Sequence, residues 1–276
     1  MLIENVTIRI PGLTRDYVFY HTSDAHVAWA DPTDSTADRE LAATQTQRWN
    51  LHGILPPAGF DDTLRTASEN HADGLFLCGD IADYYHPSTV RRIRDRLTNA
   101  AVEPLYVCGN HEGGSYKNGP RYDKALRPHY PDYAGMMHGT PDLWVRDFGE
   151  FLIVGIDDSD KKVRPEQVAA LKNLCADGRP ILLLMHIPIY TEALKAPLCA
   201  EWGDDACDYF VIGFDADEAE TPAFCALLRD PAAPIAAVFA GHIHLSHASE
   251  IIPGRVQYTS APSFSGTIRR VTVTGK

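Results

Sequence analysis

Five apolar runs of strand length each stop at side chains that can hold a cation or move a proton. Tyr17–His21 leads into Asp24-Ala25-His26, and Leu75–Cys78 into Gly79-Asp80-Ile81-Ala82-Asp83. Leu105–Cys108 leads into Gly109-Asn110-His111-Glu112. Ile181–Met185 is followed by His186, and Ile235–Ala240 by Gly241-His242-Ile243-His244. Taken singly, each pattern is weak, because Asp-x-His and His-x-His also occur in ordinary hydrogen-bonded loops. Taken together, they put five of the twelve histidines at strand ends beside Asp24, Asp80 and Asn110. Oxygen and imidazole donors without a thiolate suit Mn, Fe or Zn better than soft metals or calcium.

Some architecture must bring positions 24 to 244 to one place. The apolar runs, with Leu152–Ile156 added, are short, unbroken and bounded by turn residues. Strands buried on both faces read this way. The C-terminal ends of parallel strands share an edge, and ligands bind there. Glycines before Asp80, Asn110 and His242 allow sharp turns and close backbone approach. Helical stretches alternate with the strands: Ser35 to about Trp49, Asp61–Glu69, Pro87–Leu97, Pro165–Leu174 and Pro222–Leu228. The first opens on a capping-box pattern, and three of the others carry proline in the first turn. Arg91, Arg92, Arg94 and Arg96 read as a solvated helix face. Later segments look antiparallel, with a hairpin at Gly149-Glu150 and short strands at Ala248–Ile252, Arg255–Thr259 and Thr267–Val273. The N-terminal stretch MLIENVTIRIPG also alternates like a strand.

The 276 residues contain no repeat, low-complexity tract or obvious linker, so a single α/β domain over 1–276 is expected. Composition is ordinary for a globular chain, with 45% apolar and 22% charged residues. No apolar run is long enough for a membrane span, and the N-terminus has no secretory pattern, so a cytoplasmic location is expected. The six cysteines form no CxxC pair. Cys199 and Cys207 read as free thiols that an oxidising compartment would allow to pair. A net charge of -12 argues against a long nucleic acid or an anionic membrane as obligate partner. A local cationic centre would still admit a small anion. Two connections are long, Ala28 to Ser35 and Ile187 to Thr221. The second is strongly acidic, and either a solvated surface or a lid over about 187–221 fits it.

The set Asp24-x-His26, Gly79-Asp80-x-x-Asp83, Gly109-Asn110-His111-Glu112, His186 and Gly241-His242-x-His244 resembles the calcineurin-like metallophosphoesterase superfamily, in the family's order. The resemblance implies a four-layer sandwich of two mixed β-sheets flanked by α-helices. It implies one metal held by Asp24, His26, Asp80 and His244, and a second by Asp80, Asn110, His186 and His242, with Asp80 bridging. A bridging carboxylate suits metals about 3.5–4 Å apart. It implies that His111 lies beside the substrate phosphate as a proton donor and that Asp83 orients it; Glu112 is expected to pack behind the loop. The implied cofactors are two divalent or trivalent ions, Mn, Fe or Zn. The implied activity is hydrolysis of a small phosphomonoester or phosphodiester by a hydroxide generated on the metals.

The sequence departs from the specialised branches. Protein Ser/Thr phosphatases carry an Arg soon after the second motif, where this chain has Tyr84-Tyr85-His86. The cyclic-nucleotide phosphodiesterases usually show Asp where Glu112 stands. Tyr84, Tyr85, His86, Tyr116 and Arg121 follow the motifs and are either pocket-lining or ordinary loop residues. Two alternatives to the small-ester hydrolase are a catalytically silent scaffold for protein binding and a Ser/Thr phosphoprotein phosphatase. Loss of ligands or of the third-motif histidine would mark the scaffold, and this chain retains them all.

Overall fold

In the computed structural model, which describes residues 1–116, 127–214 and 221–276, twelve strands form two mixed sheets. The strands are β1 (Leu2–Arg9), β2 (Tyr17–Thr22), β3 (Gly74–Cys78), β4 (Pro104–Val107), β5 (Gly139–Thr140) and β6 (Leu143–Asp147), then β7 (Leu152–Ile156), β8 (Ile181–Leu184), β9 (Ile235–Ala240), β10 (His247–Ile252), β11 (Arg255–Thr259) and β12 (Thr267–Thr274). The first sheet runs β1-β12-β2-β3-β4 and the second β10-β11-β9-β8-β7-β6-β5. β2, β3 and β4 are mutually parallel, as are β7, β8, β9 and β11.

The strands that read as continuous apolar runs are those with both faces covered. Leu75 and Leu77 face helices, while Phe76 and Cys78 face the other sheet. Likewise Ile181 and Leu183 face helices, and Leu182 and Leu184 face inward. The inter-sheet layer is rich in rings, with Phe19, Phe76, Trp144, Phe151 and Phe239 all buried. Helices α2 (Pro56–Glu69) and α3 (Pro87–Asn99) cover the first sheet. Helices α5 (Pro165–Ala176) and α8 (Pro222–Arg229) cover the second. The result is the expected helix–sheet–sheet–helix sandwich.

Local chemistry explains the helix starts. In α1 (Thr36–Arg48) the Ser35 hydroxyl accepts from Asp38 N–H at 3.1 Å, satisfying an otherwise orphaned donor. α3, α5 and α8 each begin on proline, whose missing N–H costs nothing at that position. α2 begins at Pro56, five residues before the expected start, because the Pro56-Pro57 pair fits the first turn. Three of the four α3 arginines are ion-paired, and the fourth is hydrogen-bonded, rather than simply solvated. Arg91 and Arg92 grip Asp31, Arg96 pairs with Asp61, and Arg94 donates to the Asp132 carbonyl. The Asp31 contacts moor the long connection that begins at Ala28. The acidic stretch after His186 is not a bare loop. It folds α6 (Glu192–Trp202) and α7 (Ala206–Phe210) around a small core of Leu194, Leu198, Val211 and Ile243. α4 (Tyr130–Ala134) is a short turn between the sheets' segments.

Gly155 lies under the Trp144 ring, so a Cβ there would come within 2.1 Å of the indole. Trp144 has no room to yield, since it is buried and its N–H is held by the Tyr106 carbonyl at 2.8 Å. Gly155→Ala is expected to destabilise the protein by about 1–3 kcal/mol, read as a lower urea midpoint at unchanged slope.

Candidate metal centre

The strand ends come from two sheets rather than one. β2, β3 and β4 deliver Asp24, His26, Asp80, Asp83, Asn110 and His111, and β8 and β9 deliver His186, His242 and His244. Face-to-face packing brings them together. All nine of these residues meet, and three overlapping groups have donor atoms within 4.8 Å of one another: Asp24, His26 and His244; His26, Asp80 and His111; Asp80, His186 and His242. Asn110 joins the third group, with its Oδ1 3.2 Å from His186 Nε2.

The backbone is bent to do this. Among the described residues, seven non-glycines have positive φ, and Asp24, His26, Asp80, His242 and His244 are five of them. Such conformations cost energy and persist only where the surroundings impose them. Two glycines permit the close approach. A Cβ on Gly79, whose φ is +82°, would lie 2.3 Å from His186 Nδ1, and one on Gly109 would lie 2.3 Å from Asp80 Oδ1.

Buried hydrogen bonds fix the side chains. His186 Nδ1–H donates to the Cys78 carbonyl at 2.8 Å, which turns Nε2 toward Asp80 Oδ2 at 3.2 Å. Asp24 Oδ2 accepts from the Ser23 hydroxyl and from His242 N–H. Asp24 Oδ1 is left buried without a donor, facing His244 Nε2 at 3.4 Å and His26 Nε2 at 3.9 Å. His111 Nδ1–H donates to the Asp83 carbonyl at 2.7 Å and lies 3.3 Å from the Asp83 carboxylate. Its Nε2 is 3.8 Å from Asp80 Oδ2.

The electrostatics ask for positive charge. Against the cost of burial, Asp80 raises His186 to about 10. Also against burial, Asp80 and Asp83 raise His111 to about 9. Burial, with His111 nearby, pushes His26 down to about 4 and keeps that imidazole neutral, as a ligand must be. Burial opposes the Asp83 charge, yet bonds from His111 and His26 hold its carboxyl down to about 2. An orphaned carboxylate oxygen, oriented imidazole Nε2 atoms, an amide oxygen and no thiolate make a donor set that fits Mn, Fe or Zn.

Three residues support the centre from behind. Glu112 is buried behind the loops, as expected, and its carboxylate accepts from the N–H groups of Asp80, Ile81, Ala82 and Gly109 and from the Tyr106 hydroxyl. Burial and the nearby Asp80 charge raise it to about 7. Asp158, beyond β7, accepts from His186 N–H and Ile187 N–H at 2.9 Å each. Its signal was present in the sequence, because Leu152–Ile156 is another apolar run ending in acids. Trp49 carried no such signal. From the end of α1 its indole N–H donates to Asp83 Oδ1 at 2.7 Å, and its ring stacks on His26 with centroids 4.0 Å apart.

The residues after the second motif turn elsewhere. Tyr85 stacks on His129 and donates to Asp132, and His86 caps α3. Tyr84 is buried with Ala28 and Ala42, packed edge-on against Tyr116. Arg121 lies outside the described residues. None of the six cysteines is in a disulfide, and no helix among the described residues is long and apolar enough to cross a membrane.

A four-layer sandwich with imidazoles and carboxylates gathered where its parallel strands end defines a metallophosphoesterase-type hydrolase. The chain belongs to the calcineurin-like phosphoesterase family, whose pattern it matches over residues 17–246, and is a metal-dependent phosphoric ester hydrolase. The family implies a dinuclear metal centre. Among solved structures the chain is similar to a purple acid phosphatase from yellow lupin seeds (Lupinus luteus), with 14% identity and a TM-score of 0.58, covering 97% of this chain and 45% of that one. It therefore spans less than half the length of the lupin protein. It is also similar to a dimetal phosphatase from Danio rerio, with 12% identity and a TM-score of 0.48, covering 90% of this chain and 88% of that one. No curated protein matches the sequence.

Glu112→Gln would leave at least two buried N–H groups facing an amide NH2, at about 1–3 kcal/mol each. The expected result is a lower urea midpoint together with weaker metal binding by calorimetry. Trp49→Phe keeps a ring over His26 but removes a hydrogen bond to a buried carboxylate, and is expected to cost about 1.5–3 kcal/mol in the same denaturation assay.

Proposed function

We propose that this protein hydrolyses a small phosphomonoester or phosphodiester. The convergence of all seven ligand candidates with His111 and Asp83 carries the reading. Asp24, His26, Asp80 and His244 would hold one cation, and Asp80, Asn110, His186 and His242 the other. Bound there, two Mn, Fe or Zn ions would supply Lewis acidity toward phosphoryl oxygens and a nucleophilic water near neutral pH.

The chain's own groups do the rest. His111 is the general acid. Its Nδ1–H stays on the Asp83 carbonyl, and its Nε2–H passes a proton to the ester oxygen as the P–O bond breaks, so that the alcohol leaves neutral. Asp83 is a positioning residue. Its Oδ1 lies 3.2 Å from His26 Nδ1 and 3.3 Å from His111 Nδ1, so one carboxylate orients both rings. Asn110 contributes a neutral donor and keeps the centre's net charge positive enough for an anion. The chain works as one unit over 1–276, with α6 and α7 as a hood beside the centre. The retained ligands and the general-acid histidine disfavour a silent scaffold, and Tyr84-Tyr85-His86 after Asp83 disfavours a phosphoprotein phosphatase.

Chelator-stripped protein should bind two equivalents of Mn²⁺ by calorimetry. Its melting temperature should rise as metal is restored, with about 2.7 kcal/mol of stabilisation at a free concentration of 100 Kd. The loaded enzyme should turn over p-nitrophenyl phosphate or its bis-ester. His111→Ala should lower kcat about 10²–10⁴-fold while still binding two equivalents. Two bound metals with no turnover of either ester would sink the reading.

A further inference from the structure

α6 and α7 follow His186 in the chain and end beside the other two C-terminal ligand candidates. Trp202 closes α6 and Phe210 closes α7, and their rings stack with centroids 4.9 Å apart. The Trp202 ring centroid is 5.7 Å from that of His244, and the Phe210 ring is 5.3 Å from that of His242. The indole N–H is already used, donating to the Ile243 carbonyl at 2.8 Å. That bond ties the ring to the loop bearing both histidines, so the indole keeps its place relative to the centre. What remains for contact is hydrocarbon face, and Trp202 is 38% exposed.

The opposite side of the centre differs. Trp49 also lies near His244, at 5.3 Å, but its N–H is spent on Asp83 and one face is covered by His26. Phe264, beside it, is fully buried. Among the described residues, Trp49 and Tyr116 on that side are half-buried, whereas Trp202 is the more exposed ring beside the centre. Its setting is acidic. Glu201, Asp204, Asp205 and Asp208 are exposed on or between these two short helices; Lys195 is turned toward Phe214, and Lys161 donates to the Asp208 backbone carbonyl, so carboxylates outnumber the ammonium groups here.

We propose that Trp202 and Phe210 form a subsite for the alcohol half of the ester, and that it selects an aromatic group carrying no further negative charge. The inference rests on the phosphoesterase reading. If the phosphoryl group lies on the cations, the organic substituent must leave the centre across one of its walls, and this wall presents a flat apolar face. Aromatic rings stack on indole with a gain beyond their buried area, whereas a methyl group covers little of the ring. The surrounding carboxylates repel substituents with extra phosphate or carboxylate groups.

The test is calorimetric, on the metal-loaded full chain, with inorganic phosphate, methylphosphonate, phenylphosphonate and 4-carboxyphenylphosphonate. These probes are not turned over, so differences in leaving group do not enter. Phenylphosphonate should bind about tenfold tighter than methylphosphonate, the added carboxylate should reverse part of that gain, and Trp202→Ala should bring the phenyl-to-methyl ratio close to one. Trp202→Phe should keep most of the preference, which separates a lost ring from a damaged fold. A phenyl-to-methyl ratio near one in the wild type, or one unchanged in Trp202→Ala, overturns the subsite. Failure of loaded wild type to bind inorganic phosphate at all overturns the phosphoesterase reading instead.

Discussion

The centre is divided between the two sheets, so everything at the site depends on their keeping their face-to-face position. The inter-sheet layer that fixes this is made of large rigid rings. Phe19 stacks on Phe76, which in turn packs against Phe239. These three sit on β2, β3 and β9, the strands that supply Asp24, Asp80 and His242. Close-packed interiors shift little and transmit strain rather than absorbing it. The same register is locked by polar bonds at the mouth. His21 reaches the Ala240 carbonyl, His186 the Cys78 carbonyl, and Asp24 the His242 N–H. Each of these three bonds runs from one sheet to the other.

This rigidity allows the centre to hold what would otherwise fall apart. Five ligand candidates sit in left-handed backbone, and Asp24, Asp80, His26 and His186 are buried together. Without its neighbours, such a cluster would neither keep those dihedrals nor tolerate its charges. Glu112 offsets part of the cost. One carboxylate ties together the turns after β3 and β4 by accepting their N–H groups, which would otherwise be buried unpaired. Asp158 does the same for the turn after β8. The remaining imbalance is an excess of negative charge that imidazolium protons partly meet at His111 and His186. Bound cations would meet it more fully.

The centre is also asymmetric. On one side α1 presses Trp49 against His26 and Asp83, so that a ligand candidate and the carboxylate beside His111 share one brace. On the other, α6 and α7 leave aromatic surface open beside His242 and His244. The first arrangement holds His26 and Asp83 in place, and the second leaves ring surface exposed beside His242 and His244. The chain's overall charge of -12 is compatible with both, because binding of the proposed anionic ester would be set by charge within the buried centre and not by the distant surface.

The strands and the identities of the ligand candidates were legible in the sequence. A strand covered on both faces has to be written as an unbroken apolar run, and a polar residue able to bind metal stands out where the run stops. The glycines were legible too, since only a residue without a side chain fits where Gly79 meets His186. What the tertiary structure alone decided is which remote groups close on that framework. The strand ends come from two sheets, which a pattern of local runs cannot distinguish from one. Trp49 and Trp202 reach the centre from helices whose own periodicity says nothing about the neighbour they face. The physical reason is range: burial and backbone geometry leave a local imprint on sequence, whereas a stacking contact or a hydrogen bond between residues far apart in the chain exists only once the packing has been chosen.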